Sequence, residues 1–134
     1  MRLLFQIGLV ALGSAIGGLA RWGVATVAAR WLGTAFPWGT FFINISGSLF
    51  LGWFTAMLSE HLVLSESSWL QPDDLRLMIA VGFTGAYTTF STFEYESHGL
   101  LKDGDGLAGM TYVFLSVFLG LLAIRCGIFL ARWR

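Results

Sequence analysis

Between Trp31 and Ser59 the chain carries no charged residue, and between Leu3 and Ala29 it carries one, Arg21. Each run exceeds the ~20 residues an α-helix needs to cross the hydrocarbon core of a bilayer. A third uncharged run covers Leu77 to Phe93, and a fourth covers Gly106 to Ile124 and continues past Arg125 to Ala131. The chain therefore reads as an all-α membrane protein of four spans, at approximately 3–30, 38–59, 75–98 and 106–131, in a single domain over residues 1–134. An aqueous fold has no place for such runs: 56% of the residues are apolar and 12% charged, about half the charged share of a soluble domain.

The same composition excludes other classes. Eight basic residues balance eight acidic ones, so the chain lacks the basic face of a nucleic-acid binder, and its apolar content excludes intrinsic disorder. Cys126 is the lone cysteine, which rules out an intrachain disulfide. His61 and His98 fall at span ends without metal-ligand spacing and read as solvated at the interface. Neither histidine nor Cys126 stands in a nucleophile–base spacing in the sequence, which speaks against an enzyme.

The first span follows Arg2 but is too long for a signal peptide and lacks a polar cleavage region, so it is expected to remain. Trp31 to Pro37 and Lys102 to Gly106, with Asp103 between, are turn segments, and the longer connection from Glu60 ends in Pro72-Asp73-Asp74, caps for the third helix. Four spans place both termini on one side, with Arg2, Arg76, Arg132 and Arg134 there against Arg30 and Lys102 opposite. That bias favours cytoplasmic termini only weakly, leaving insertion in both orientations open. No internal repeat is visible, and four helices make a thin bundle, so a solute path enclosed by protein calls for an oligomer.

Polar residues inside spans either bind helices together or line a path. The first, second and fourth spans contain no Asp or Glu; Glu94 and Glu96, at the end of the third, are the only intramembrane carboxylate candidates. In the second span Thr40, Asn44, Ser48 and Gly52 recur at every fourth position and share one helix face. Tyr112, Ser116 and Gly120 repeat the pattern in the fourth. These faces suit helix packing, with Asn44 as interhelical glue, or an anion path, since carboxamide and hydroxyl groups donate hydrogen bonds without a fixed charge. The third span, Gly82 to Phe93, holds two glycines and five Ser or Thr in twelve residues. A break is expected there, exposing backbone groups at membrane depth, where carbonyls suit a cation and N–H groups an anion.

Phe90 and Phe93, three apart, project from neighbouring positions of one face, as packing residues or as rings whose positive edges attract an anion. Arg21 either draws anions toward a vestibule, snorkels, or pairs with a carboxylate such as Glu96. Gly13 and Gly17 form a GxxxG motif of close helix contact.

These residues together resemble the Fluc (CrcB) family of small bacterial fluoride channels. The resemblance lies in Gly17-Gly18-Leu19-Ala20-Arg21-Trp22, in Trp38-Gly39-Thr40 through Asn44 to Gly47, and above all in Gly82 to Phe93, ending Thr88-Thr89-Phe90-Ser91-Thr92-Phe93-Glu94-Tyr95-Glu96. It implies an antiparallel, dual-topology homodimer in the bacterial inner membrane, with two narrow fluoride pathways and a central structural Na⁺. It further implies that Asn44, Phe90, Phe93, Tyr112, Ser116 and Thr40 line the pathways. One phenylalanine of each chain would serve each pore, and backbone carbonyls of Gly85 and Thr88 would hold Na⁺. One departure is Gly120, where members often carry a further hydroxyl. The implied activity is passive fluoride efflux, conferring fluoride resistance. The rivals are a small four-helix multidrug exporter, which needs a Glu that the first span lacks, and a non-transporting assembly protein.

Overall fold

Among the described residues three stretches free of proline and nearly free of charge form unbroken helices long and apolar enough to cross a membrane: α1 (Arg2–Leu32), α2 (Trp38–Glu60) and α6 (Gly106–Arg132). The computed structural model describes residues 1–60, 70–102 and 104–133. His61, Asp103 and Arg134, assigned above to a span end, a turn and the charge count, lie outside the described residues, as does most of the connection after Glu60.

The third stretch is not one helix. It begins with a short turn, α3 (Pro72–Leu75), widens into a π-helix over Arg76–Thr84, returns to α4 (Gly85–Tyr87), opens at Thr88 and Thr89, and resumes as α5 (Phe90–Lys102). Thr88 is extended, with φ −79° and ψ 158°. The expected break is therefore present, and the longest unbroken piece, at 13 residues, is too short to span alone. The wider π winding is supported by Thr84, whose hydroxyl donates 3.0 Å to the carbonyl of Ile79, five residues back. The entry is capped by Asp74 rather than by both aspartates. Its carboxylate accepts the Gln71 backbone N–H at 2.9 Å and the Arg2 guanidinium at 2.9 Å, while Asp73 stays exposed.

Glycines let backbones meet where lipid supplies no hydrophobic drive for helices to associate. A methyl on Gly13 or Gly17 would collide with the backbone of Met78 or Phe83, so α1 lies directly on the π-helix. Likewise Gly52 faces the carbonyl of Ile124, and Gly127 that of Leu49. The GxxxG reading of Gly13 and Gly17 thus holds as a contact between two segments of one chain.

The same contacts give direction. Along α2 and α6, Ser48 meets Gly120 and Gly52 meets Ile124, and Glu60 binds Arg132 at 2.7 Å, 72 positions on. The two helices run parallel in a constant register. Arg2 meets Asp74 at the same separation, so α1 and the third stretch are parallel too. All these polar ends cluster at the face that holds both termini. The buried core lies toward the other end, where Phe41, Phe93 and Tyr112 pack together beneath Phe36 and Trp38.

Candidate functional site

The break at Thr88–Thr89 leaves backbone groups without helical partners, and α2 supplies replacements. Asn44 Nδ2 donates 3.1 Å to the carbonyl of Thr89, and Asn44 Oδ1 accepts the Thr89 N–H at 2.9 Å. This close approach needs Gly47, three positions along the same face, because any side chain there would strike the Thr88 methyl. Gly47 lay within the motif quoted above, but its reason, contact with the break, becomes visible only in the fold.

The clamp has a consequence for carbonyls. In a continuous helix Thr89 N–H would donate to Gly85, and Thr92 N–H to Thr88. Instead Thr89 N–H goes to Asn44, and Thr92 N–H goes to Thr89 Oγ1 at 3.3 Å. The carbonyls of Gly85 and Thr88 thereby lose their helical donors, Gly85 being exposed and Thr88 half-buried. Neutral oxygens without donors are the chemistry a hard cation takes.

Beside the break lies a cavity of about 260 Å³ between α2, the broken stretch and α6. It gathers Asn44, Ser48, Thr88, Phe90, Phe93 and Ser116, all singled out in the sequence. Ser116 Oγ is buried there without a hydrogen-bond partner. The two rings, 5.9 Å apart and tilted by 40°, sit differently: Phe93 is 8% exposed, Phe90 71%.

Thr40 and Tyr112 belong to a second group. Both hydroxyls donate to one carboxylate, Thr40 to Glu96 Oε1 and Tyr112 to Glu96 Oε2, each at 2.9 Å. Thr40 and Glu96 line a second cavity of about 340 Å³ under Phe36 and Trp38. Tyr112 is wholly buried, and its ring lies 5.2 Å from Phe93. The chain Phe93–Tyr112–Glu96–Thr40 therefore joins the two cavities. The pairing of Arg21 with Glu96 does not occur among the described residues: Glu96 is turned toward α2 and α6, where it meets Thr40 and Tyr112. Arg21 is half-buried, lines neither of these cavities, and makes no ion pair among the described residues.

Every group lining the first cavity is uncharged. Neutral donors in a narrow, partly apolar space can replace an anion's water without trapping it, which is what conduction requires. The carboxylate in the second cavity has its oxygens engaged by Thr40 and Tyr112, so it orients those two side chains.

Comparison with known sequences gives the family. Residues 8–128 match the family described as "CrcB-like protein, Camphor Resistance (CrcB)". The chain is 44% identical over 124 residues, 92% of its length and 93% of the relative's, to a protein of Chloroflexus aurantiacus named "Fluoride-specific ion channel FluC". Proteins of the same name from Hyphomonas neptunium, 43% identical over 92% of this chain and 93% of the relative, and Nitrobacter winogradskyi, 38% identical over 92% of both, are also similar. With a match that runs through all the helices and both cavities, this multi-pass membrane protein belongs to the CrcB-like family.

Proposed function

We propose that the protein is a fluoride-selective channel of the bacterial inner membrane, moving fluoride passively out of the cell and so conferring resistance to it; it is a channel and not an enzyme. The observation that carries this reading is the cavity at the break, lined only by uncharged groups, with a buried Ser116 hydroxyl that has no protein partner. Fluoride is small and strongly hydrated, so a path selective for it must offer short hydrogen bonds in place of water, in a space too narrow for larger anions. Asn44 retains a second N–H beyond its clamp, and Ser116 retains its hydroxyl. The edges of Phe90 and Phe93 present weak positive charge without a permanent cation.

The working unit in this reading is a homodimer of oppositely inserted copies, with α3, the π-helix, α4 and α5 together making the fourth crossing. Two features support it. Phe90 is largely exposed although it lines the cavity, so a second chain would complete the path. The Gly85 and Thr88 carbonyls, deprived of helical donors by Asn44 and Thr89, suit Na⁺ when two copies bring four such oxygens together. Bound there, Na⁺ would supply positive charge that holds the opened backbone in place. The test is fluoride efflux from liposomes holding the purified protein, read with a fluoride electrode. Fluoride flux with chloride left behind supports the reading, and the absence of fluoride flux overturns it.

A further inference from the structure

Five hydroxyl-bearing residues line the cavity at the break: Ser48, Thr84, Thr88, Thr89 and Ser116. Three of these hydroxyls already donate within the protein. Thr84 donates to Ile79 O at 3.0 Å, Thr88 to Thr84 O at 2.9 Å, and Thr89 to Thr92 Oγ1 at 2.9 Å. Serines in helices commonly turn back to the carbonyl four residues before, as Ser46 does to Phe42 at 2.6 Å and Ser97 to Phe93 at 2.7 Å. Ser48 and Ser116 do not. Ser116 Oγ is buried without a partner, and Ser48 makes no side-chain hydrogen bond among the described residues.

These two hydroxyls come from facing helices. The parallel register of α2 and α6 sets Asn44 level with Ser116 and Ser48 level with Gly120. The nearest atom to a methyl placed on Gly120 is Ser48 Oγ itself, at 3.8 Å. The polar stripe of α6, Tyr112 then Ser116, therefore stops at Gly120, and at that level the polar group comes from α2.

We infer that Ser48 is a further ion-contacting, specificity-determining residue: its hydroxyl continues the donor track from α6 onto α2 and hands the anion on beyond Ser116. The inference rests on the proposed fluoride conduction and deepens it. A track that changes helices keeps donors spaced along the path while leaving Gly120 bare, so that the ion is turned toward α2 at that level.

The arrangement can be tested by moving the hydroxyl across the gap. Fluoride efflux from liposomes is measured for the wild type, Ser48→Ala, and Ser48→Ala combined with Gly120→Ser, each verified as correctly assembled by size-exclusion chromatography. A Cβ at position 120 meets only Ser48 Oγ, at the ordinary contact distance of 3.8 Å, and Ser48→Ala removes that atom. Ser48→Ala is expected to lower flux by about tenfold or more, the factor expected from losing one hydrogen bond to a charged group, and Gly120→Ser is expected to restore most of it. Flux at the wild-type rate in Ser48→Ala overturns the inference. So does a loss that Gly120→Ser leaves unrepaired, which would assign Ser48 to packing. Wild-type protein that passes no fluoride overturns the proposed function itself and this inference with it, whereas either of the other two failures leaves the channel reading standing.

Discussion

Asn44 grips Thr89 by both polar groups of its backbone, donating to the carbonyl at 3.1 Å and accepting from the N–H at 2.9 Å. A side chain of α2 thus takes the place of the ladder bonds that the third stretch gives up. The second of these bonds takes from the Gly85 carbonyl its helical donor, as Thr89 Oγ1 takes that of Thr88, so one contact both lines the cavity and frees a carbonyl suited to a cation.

Replacing Asn44 tests that contact and the path together. In Asn44→Asp the donor to Thr89 is lost and a carboxylate faces the cavity. Two like unit charges ~4 Å apart at an effective dielectric of ~20 repel by about 4 kcal/mol, so fluoride flux should fall by at least about a hundredfold. Undiminished efflux from a correctly assembled variant would remove Asn44 from the pathway.

Tyr112→Phe keeps the ring that packs on Phe93 but takes one donor from Glu96, at a position fully shielded from solvent. Glu96 is half-buried, and losing one hydrogen bond to a charged group costs about 1.5–3 kcal/mol. Denaturant unfolding in detergent should show that loss, and efflux should fall with it. Stability unchanged from wild type would mean that the Glu96 oxygen finds another donor.

Carbonyls at Gly85 and Thr88 form a backbone site, so Thr88→Ser should preserve whatever binds there. Exchanging all Na⁺ for a much larger cation should abolish flux and weaken the dimer on size-exclusion chromatography. Equal activity and equal assembly without Na⁺ would count against a structural sodium ion.

Phe90 and Phe93 should respond differently to Leu. Phe93 sits in the aromatic core with Phe41 and Tyr112, so Phe93→Leu should cost up to about 1.5 kcal/mol of stability. Phe90 is mostly exposed, so Phe90→Leu should leave stability unchanged. Both should lower fluoride efflux by several-fold to about tenfold, the scale of one aromatic-edge contact. Wild-type rates in both would return the rings to simple packing.

Gly52→Val should separate α2 from α6, because its side chain would run into the Ile124 carbonyl. Gly18→Ala, with no atom near the added methyl, is the matched control. Loss of a monodisperse peak in the first variant and its retention in the second is the expected result on size-exclusion chromatography. A normally assembled Gly52→Val protein would show that the helices have room to part.

The helical, membrane-crossing class was legible in the bare sequence because it depends on local properties. A bilayer admits long uncharged runs only as structures that satisfy their own backbone, and α1, α2 and α6 follow from that rule with boundaries within about two residues. The break was legible for a related reason: glycines and β-branched threonines between positions 82 and 93 weaken a helix wherever it lies. The types of donor on the second and fourth spans could also be read from their four-residue spacing.

Partnership could not be read, because it depends on which helices are neighbours and in what register. Spacing along one helix cannot say that Asn44 reaches Thr89, or that Thr40 and Tyr112 share Glu96. Nor does local propensity distinguish the π winding of Arg76–Thr84 from an ordinary helix, since it rests on a hydroxyl bond five residues back and on close contact with Gly13 and Gly17. Only the parallel register of α2 and α6 sets Ser48 against Gly120, for hydrogen bonds are satisfied by proximity in three dimensions, which the order of residues constrains but does not specify.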